Sequence, residues 1–452
     1  MRPCSRTRRP PSFRARRAAR RSRPSTAGRL SAGSTIDRRS TKGGRRAGEG
    51  TLIIQPISAG IVSAITGFAS SFVLVVAGLR AVGATDAQAS SGLLAVCVIS
   101  GLCCILLAAW FRMPIAFAWS TPGAALLVAA AATTNDFGAA TGAFLVCGAL
   151  IVLCGLWPAL GRSITRIPKP LASAMLAGIL FPICLAPITA AVEIPLLALP
   201  VVLTWLILFR FAPRWAVPAA MAVAAIGIGV TAGSGWLSQA SLAPTVTFVL
   251  PRFDPLVIVS LGLPLFIVTM AGQNVPGFAV MSTFGYTVPP RPALLASGIG
   301  TMAGSFFGGH AVNLAAITAA IMAGPDSHTD RSKRWVASVT AGILYVVFGL
   351  AAGAATALIS AAPPILIEAV AGLALLGALV TSVASAIEEP AHRIPAIATF
   401  LVTASGVTIV SIGSAFWGLL VGGVIMLWSA FPWRRAPRTD LSTPRPEVSD
   451  RE

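Results

Sequence analysis

The chain has 452 residues, of which 55% are hydrophobic and only 11% charged. A soluble domain carries about 25% charged residues, and here apolar runs follow one another with almost no polar face between them, which excludes a string of soluble domains. The net charge of +19 does not point to nucleic acid, because residues 1–50 hold sixteen Arg/Lys against Asp37 and Glu49 and so account for +14 of it.

In chain order, residues 1–50 read as a disordered basic tail of Arg, Ser, Pro and Gly. No apolar run follows the first arginines, so a secretory signal is excluded. An organellar transit peptide and a start codon placed too far upstream are the other readings. Residues 51–432 read as a transmembrane transporter domain, and 433–452 as a C-terminal cytoplasmic tail. A spanning helix needs about 20 mostly apolar residues. That ruler marks fourteen candidates, near 53–79, 89–111, 115–132, 138–157, 169–189, 194–211, 214–233, 255–274, 291–307, 310–324, 334–359, 364–386, 394–411 and 412–430. The segments 115–132 and 310–324 are short, and each follows a helix breaker, Pro114 in one case and Gly308–Gly309 in the other.

Charge orients the segments. With residue 50 inside, the cytoplasmic connections carry Arg112, Arg162, Arg166, Lys169, Arg210, Arg214, Arg291, Arg331, Lys333, Arg334, Arg393, Arg434 and Arg435. The opposite connections carry Asp86, Asp136, Glu193 and Asp254, with Arg80 and Arg252 their only basic residues. This positive-inside pattern predicts an even number of spans with both termini cytoplasmic. Trp110, Trp157, Trp215 and Trp428 fall near segment ends, where interfacial aromatics belong.

Seven segments precede residue 255 and seven follow, giving repeats of about 52–233 and 255–431. An odd number per half inverts the two halves in the membrane. The expected fold is therefore all-α and polytopic, about fourteen segments in a 7+7 inverted repeat, with two short broken helices. These begin at Trp119-Ser120-Thr121-Pro122 and at Gly309-His310-Ala311-Val312-Asn313. A half-helix that starts at mid-membrane turns its free N–H groups and positive dipole end toward the bilayer centre, which suits an anion. The plainer alternative is that Pro122 and Gly309 only kink helices.

Few polar side chains remain inside. Of 15 Asp/Glu, only Glu368 sits within an apolar run, near its start. That scarcity favours a neutral or anionic substrate over a cation. His310 is the single histidine in a membrane segment; it can donate to a carboxylate or carry a proton, and Glu368 is a second group that can carry a proton. The amides Gln273, Asn274 and Asn313 must find partners in apolar surroundings. Ser120 and Thr121 open the first short helix and can cap it or touch ligand. Six of the seven cysteines lie in apolar runs with no metal-ligand spacing, so no metal or cofactor is expected. Without a P-loop, HExxH or GxSxG motif the chain is expected to be neither an enzyme nor an ATP-driven pump, leaving a gradient-driven carrier or, less well supported, a passive channel.

Three stretches, Ala118-Trp119-Ser120-Thr121-Pro122-Gly123-Ala124-Ala125-Leu126, Ala271-Gly272-Gln273-Asn274-Val275-Pro276-Gly277 and Phe307 through Thr318, together resemble the benzoate:proton symporter (BenE) family over about residues 52–431. The resemblance implies import of benzoate or a similar aromatic carboxylate with a proton across the cell's inner membrane. It also implies fold kinship with uracil and xanthine permeases and sulfate-type anion transporters, with core and gate domains and substrate held between the third, eighth and tenth segments. Carried over, the substrate-binding residues are Ser120, Thr121, Gln273, Asn274, His310 and Asn313, with His310 and Glu368 as proton-coupling candidates and the substrate carboxyl itself as the third carrier open to the proton. The nucleobase permeases use acids where this chain has amides and a histidine, which argues against a nucleobase. A sulfate-type or other organic-anion carrier is the alternative. The expected partners are the substrate, a proton and the lipid bilayer, with a homodimer admitted.

Overall fold

The computed structural model describes residues 41–157, 168–232 and 243–430, with backbone only at 41–53, 232 and 430. Two units are distinguished, Met1–Gly48 and Glu49–Glu452; the architecture below is that of the second. The first forty residues, the Arg162–Arg166 connection and the 433–452 tail lie outside the described residues. Helical backbone begins at Thr41, inside the stretch expected to be disordered.

The elements are α1 (Thr41–Ala69), α2 (Phe72–Ala81), α3 (Asp86–Phe111), β1 (Phe117–Trp119), α4 (Thr121–Ala129), α5 (Phe137–Leu156), α6 (Lys169–Glu193), α7 (Pro195–Phe211) and α8 (Pro213–Ala232). There follow α9 (Pro255–Thr283), α10 (Pro290–Ser305), β2 (Val312–Leu314), α11 (Ile317–Ala323), α12 (Trp335–Leu350), α13 (Ala352–Ser360), α14 (Pro364–Ile387), α15 (Arg393–Ala404) and α16 (Ser414–Ala430). Among the described residues, eight helices are long and apolar enough to cross a membrane, and Pro195–Phe211 and Ser414–Ser429 are shorter apolar helices. The chain is thus a mostly helical, multi-pass membrane protein.

Helix starts are written in the loops. Thr85 and Gln88 form a reciprocal capping box at α3. Asp136 accepts from Gly138 and Ala139 N–H at the start of α5, and Asp254 from Leu256 and Val257 N–H at α9. Asp136 and Asp254 are therefore caps, and Asp136 also pairs with Arg252 at 2.7 Å. Trp110, Trp157, Trp215 and Trp428 are all exposed on the protein surface, as rings at a headgroup level would be.

The helices sort into two packed groups. In one, α3 lies along α12, α5 along α10, and α2 along α4. In the other, α6 lies along α14 and α15, α7 along α8, and α15 along α16. Two crossings of the first group are glycine on glycine. A Cβ on Gly101 of α3 would stand 2.5 Å from the Gly342 carbonyl of α12. A Cβ on Gly298 of α10 would stand 2.7 Å from the Gly148 carbonyl of α5. Only bare backbone permits helices to approach this closely.

The all-α expectation needs a correction. β1 and β2 pair antiparallel, Phe117 against Leu314, Ala118 against Asn313 and Trp119 against Val312. Hydrogen bonds from Ser120 N to Ala311 O (2.8 Å) and from Ala315 N to Ala116 O (2.9 Å) extend the ribbon at both ends. The physical reason is that buried chain released from a helix must find other backbone partners, and each released segment finds them in the other.

Candidate functional site

The outer edges of this ribbon would leave backbone groups unpaired deep in the protein. Side chains complete them. The Phe117 N–H donates to Cys104 Sγ at 3.0 Å. The Val312 N–H donates to Thr301 Oγ1 at 2.9 Å, and Ser297 Oγ donates to Val312 O at 2.6 Å. The Leu314 N–H donates to Asn274 Oδ1 at 2.9 Å. Asn274 closes a π-helical turn, Met270–Asn274, one of two in α9. Such a turn widens the helix locally and is frequent at functional sites.

A short helix leaves each end of the ribbon. At α4, Ser120 is the N-cap: its Oγ accepts from Gly123 N–H at 3.1 Å and from the Thr269 hydroxyl at 3.1 Å. At α11 the cap position is Ala316, which offers no side-chain acceptor. The far end of α11 is held by buried Arg334, which donates to Ala323 O at 2.6 Å and to His328 O at 2.7 Å. The second short helix thus opens at Ile317, not at Gly309. His310 and Asn313 lie in extended chain before it, because the pairing with β1 takes the backbone that a helix would need.

Beside these two helix starts lies a cavity of about 880 Å³ including its open mouth. The ribbon and α4 contribute Trp119 and Thr121, α9 contributes Gln273, α11 Thr318, α12 Tyr345, and α1 a polar edge that includes Gly67. Leu375 of α14 comes from the second helix group. Trp119 and Tyr345 form an aromatic corner, centroids 5.3 Å apart and tilted 59°. The indole is fixed by a bond from Trp119 Nε1 to Ser71 Oγ (2.9 Å) and by the edge-on Phe68 ring. Among the described lining residues there is no Asp, Glu, Lys, Arg or His.

Of the six residues expected around a ligand, Thr121 and Gln273 line this cavity, both half-buried. Ser120, Asn274, His310 and Asn313 are fully buried and stand behind its wall. His310 Nε2 lies 3.1 Å from the Ser120 carbonyl, and its Nδ1 meets no partner. Asn313 Nδ2 donates to Leu314 O at 2.8 Å, while its Oδ1 stays unpaired. Glu368 is exposed on α14 and does not line the cavity.

The lining includes groups that reading the sequence did not select. Thr318 and Tyr345 are buried, their hydroxyls adjoin, and neither meets a partner at hydrogen-bonding geometry. Tyr345 is one of only two tyrosines in the chain; that rarity was the available signal. Gly67 sets their spacing to α1, since a Cβ there would stand 2.8 Å from Tyr345 Oη and 3.3 Å from Thr318 Cγ2.

Residues 52–427 match the model of a family described as benzoate membrane transport protein (BenE). The chain is 41% identical over 369 residues to inner membrane protein YdcO of Escherichia coli, covering 81% of this chain and 93% of that protein. It is 34% identical over 321 residues to the benzoate membrane transport protein of Acinetobacter baylyi, covering 70% and 80%. Among solved structures it resembles the transmembrane domain of the cyanobacterial bicarbonate transporter BicA, with a TM-score of 0.52 at 16% identity over 82% of this chain and 97% of that one. It also resembles murine Slc26a9, an anion transporter in the inward-facing state, with a TM-score of 0.54 at 13% identity over 90% and 76%.

Proposed function

The chain belongs to the benzoate membrane transport family, a membrane transporter and not an enzyme, and on that premise we propose that it imports benzoate or a similar aromatic carboxylate together with a proton. The observation that carries this reading is the cavity: an aromatic corner of Trp119 and Tyr345 facing neutral hydroxyl and amide groups, with no fixed charge among its described lining residues. A planar ring suits the corner, and a carboxyl group suits the polar side. Thr121 and Gln273 touch the substrate, whereas Ser120, Asn274, His310 and Asn313 hold the ribbon and α4 that frame it. The name of one relative, an inner membrane protein, supports an inner-membrane location, and the positive-inside pattern of the loop charges supports cytoplasmic termini.

All fourteen apolar segments cross the membrane in this reading, as two inverted sets of seven. The packing supports it. Exchanging each segment with the one seven places along turns the α3–α12 pair into the α10–α5 pair, and the α7–α8 pair into the α15–α16 pair. The exchange also carries the Gly101–Gly342 crossing onto Gly298–Gly148. The group bearing the ribbon is then the core, and the α6–α8 and α14–α16 group the gate against which it rocks.

Proton coupling follows from energetics. Moving one negative charge inward against an inside-negative potential costs about 2.3 kcal/mol per 100 mV, and one accompanying proton removes that term. A sulfate-type carrier shares the fold, but the aromatic corner gives a small inorganic anion nothing to bind. The test is uptake of radiolabelled benzoate by proteoliposomes of the whole chain. An imposed inward proton gradient should accelerate it, and uptake indifferent to that gradient would remove the symport reading.

A further inference from the structure

The cavity is unusual for an anion site in what its polar groups can do. Its described polar side chains are hydroxyls, one amide and the indole, which is already committed to Ser71. Hydroxyls and amides each donate and accept. Where side chains compensate an ionised carboxylate they are normally Arg or Lys, which only donate, and here such compensation is left to the starts of α4 and α11 alone. Thr318 and Tyr345 moreover hold adjacent buried hydroxyls that meet no partner outside the pair. Each such group is costly to leave unmade, so the pair is poised for a ligand that can accept from one and donate to the other.

The side chains suited to carrying a proton lie elsewhere. His310 is sealed behind Ser120, and Glu368 is exposed on α14. On the elements packed around the cavity, the other titratable groups include Cys97 and Cys104 behind Tyr345, Cys184, which donates to Gly372 O of α14, Cys103, and Arg80, Asp86, Lys169 and Glu193 at or near helix ends. None of them lines the cavity.

We infer that the species held in the cavity is the undissociated carboxylic acid, and that the coupling proton travels on the substrate's own carboxyl group, read by the Tyr345 and Thr318 hydroxyls. This rests on the aromatic-carboxylate reading above and goes past it by assigning the proton. On entry one carboxylate oxygen forms an O–H bond with a proton taken from bulk water. One hydroxyl of the pair donates to the carbonyl oxygen, and the other accepts from the acid O–H. On release the O–H bond breaks, and proton and carboxylate leave separately. One proton accompanies each substrate, and no net charge crosses.

The experiment uses proteoliposomes of the whole chain and a series of ring-substituted benzoates of similar size but different acid strength, with the leak into protein-free vesicles subtracted. The expected KM, in total concentration at fixed pH, rises about tenfold for each unit by which the substrate is the stronger acid, because only the protonated fraction is bound. For one substrate it rises about tenfold for each unit of external pH. Tyr345→Phe should raise KM across the series more than it lowers kcat, and a membrane potential alone should drive no uptake. In His310→Gln and Glu368→Gln the ratio of protons to benzoate should stay at one, whatever rate survives. A KM indifferent to acid strength, potential-driven uptake, or a changed ratio in either variant overturns the inference while leaving benzoate transport standing. Absence of benzoate uptake overturns both.

Discussion

Asn274 Oδ1 accepts the Leu314 N–H at 2.9 Å, joining a π-helical turn of α9 to the second strand of the ribbon. The amide is wholly buried, and its Nδ2 is spent on Met270 Sδ at 3.3 Å. Asn274→Leu would leave a buried N–H without an acceptor, at about 1–3 kcal/mol. The expected result is a lower melting temperature in detergent and a fall in transport rate; an unchanged melting temperature would show that Leu314 has another partner.

Gly67 leaves space for the Tyr345 hydroxyl. In Gly67→Ala the new Cβ would stand 2.8 Å from that oxygen, inside the contact limit. The protein should fold, because the added methyl faces a cavity, but benzoate KM should rise roughly tenfold, equivalent to about 1.4 kcal/mol of binding. Gly67→Ala with wild-type KM would mean that Tyr345 swings aside freely.

Trp119 and Ser71 form one unit through the 2.9 Å indole bond. Trp119→Phe keeps a ring against Tyr345 and Phe68 while removing the donor. Ser71→Ala removes the acceptor. Each should lose about 0.5–1.5 kcal/mol, and the double variant little more than either alone, which a double-mutant cycle on melting temperature reads directly. Additive losses would separate the two residues.

Arg334 is a buried cation whose described contacts are carbonyls at the end of α11, Ala323 O and His328 O. Arg334→Lys offers a single ammonium in place of a planar fork, so it should hold one carbonyl and lose the other. Partial destabilisation in the lysine variant and severe destabilisation in Arg334→Ala are expected by thermal unfolding; equal behaviour of the two would contradict the fork geometry.

Asp330 caps the turn before α12. Bonds from the Ser332 hydroxyl (2.7 Å) and Ser332 N–H (2.9 Å) hold its carboxyl below the usual carboxylate range. A carboxyl depressed in the folded state stabilises above its unfolded pKa, and that contribution is lost as pH falls through the folded one. The protection factor of the Ser332 amide, that is its exchange corrected for the intrinsic pH dependence, should therefore fall on acidification, and Asp330→Asn should flatten that acid limb. An unaltered limb would assign the pH dependence elsewhere.

Much of the fold was legible because a bilayer imposes a simple ruler. The run 89–111 announces a span by length alone, and Asp136 and Asp254 announce helix starts by their place in loops. The ribbon was not legible, because Phe117–Trp119 and Val312–Leu314 are three residues each and carry no period of two. Their extended state is decided by a partner far along the chain. Asn274 and His310 stood out as polar residues in apolar sequence, but polarity alone cannot say whether a side chain faces a cavity or mends a strand edge. Tyr345 went unnoticed for the opposite reason, since its ring suits an apolar helix and only its position exposes the hydroxyl.

The ribbon also bears on biogenesis. Ala118 must wait for Asn313, about 200 residues later, and at ~5–20 residues per second that delay is on the order of 10–40 s. Until then the first half sits in the translocon or bilayer with the backbone groups of β1 that face β2 unpaired. A ribosome stall or truncation between the halves would therefore leave a product that a membrane quality-control protease can recognise, so the completed pairing is a checkpoint of synthesis as well as a floor for the cavity.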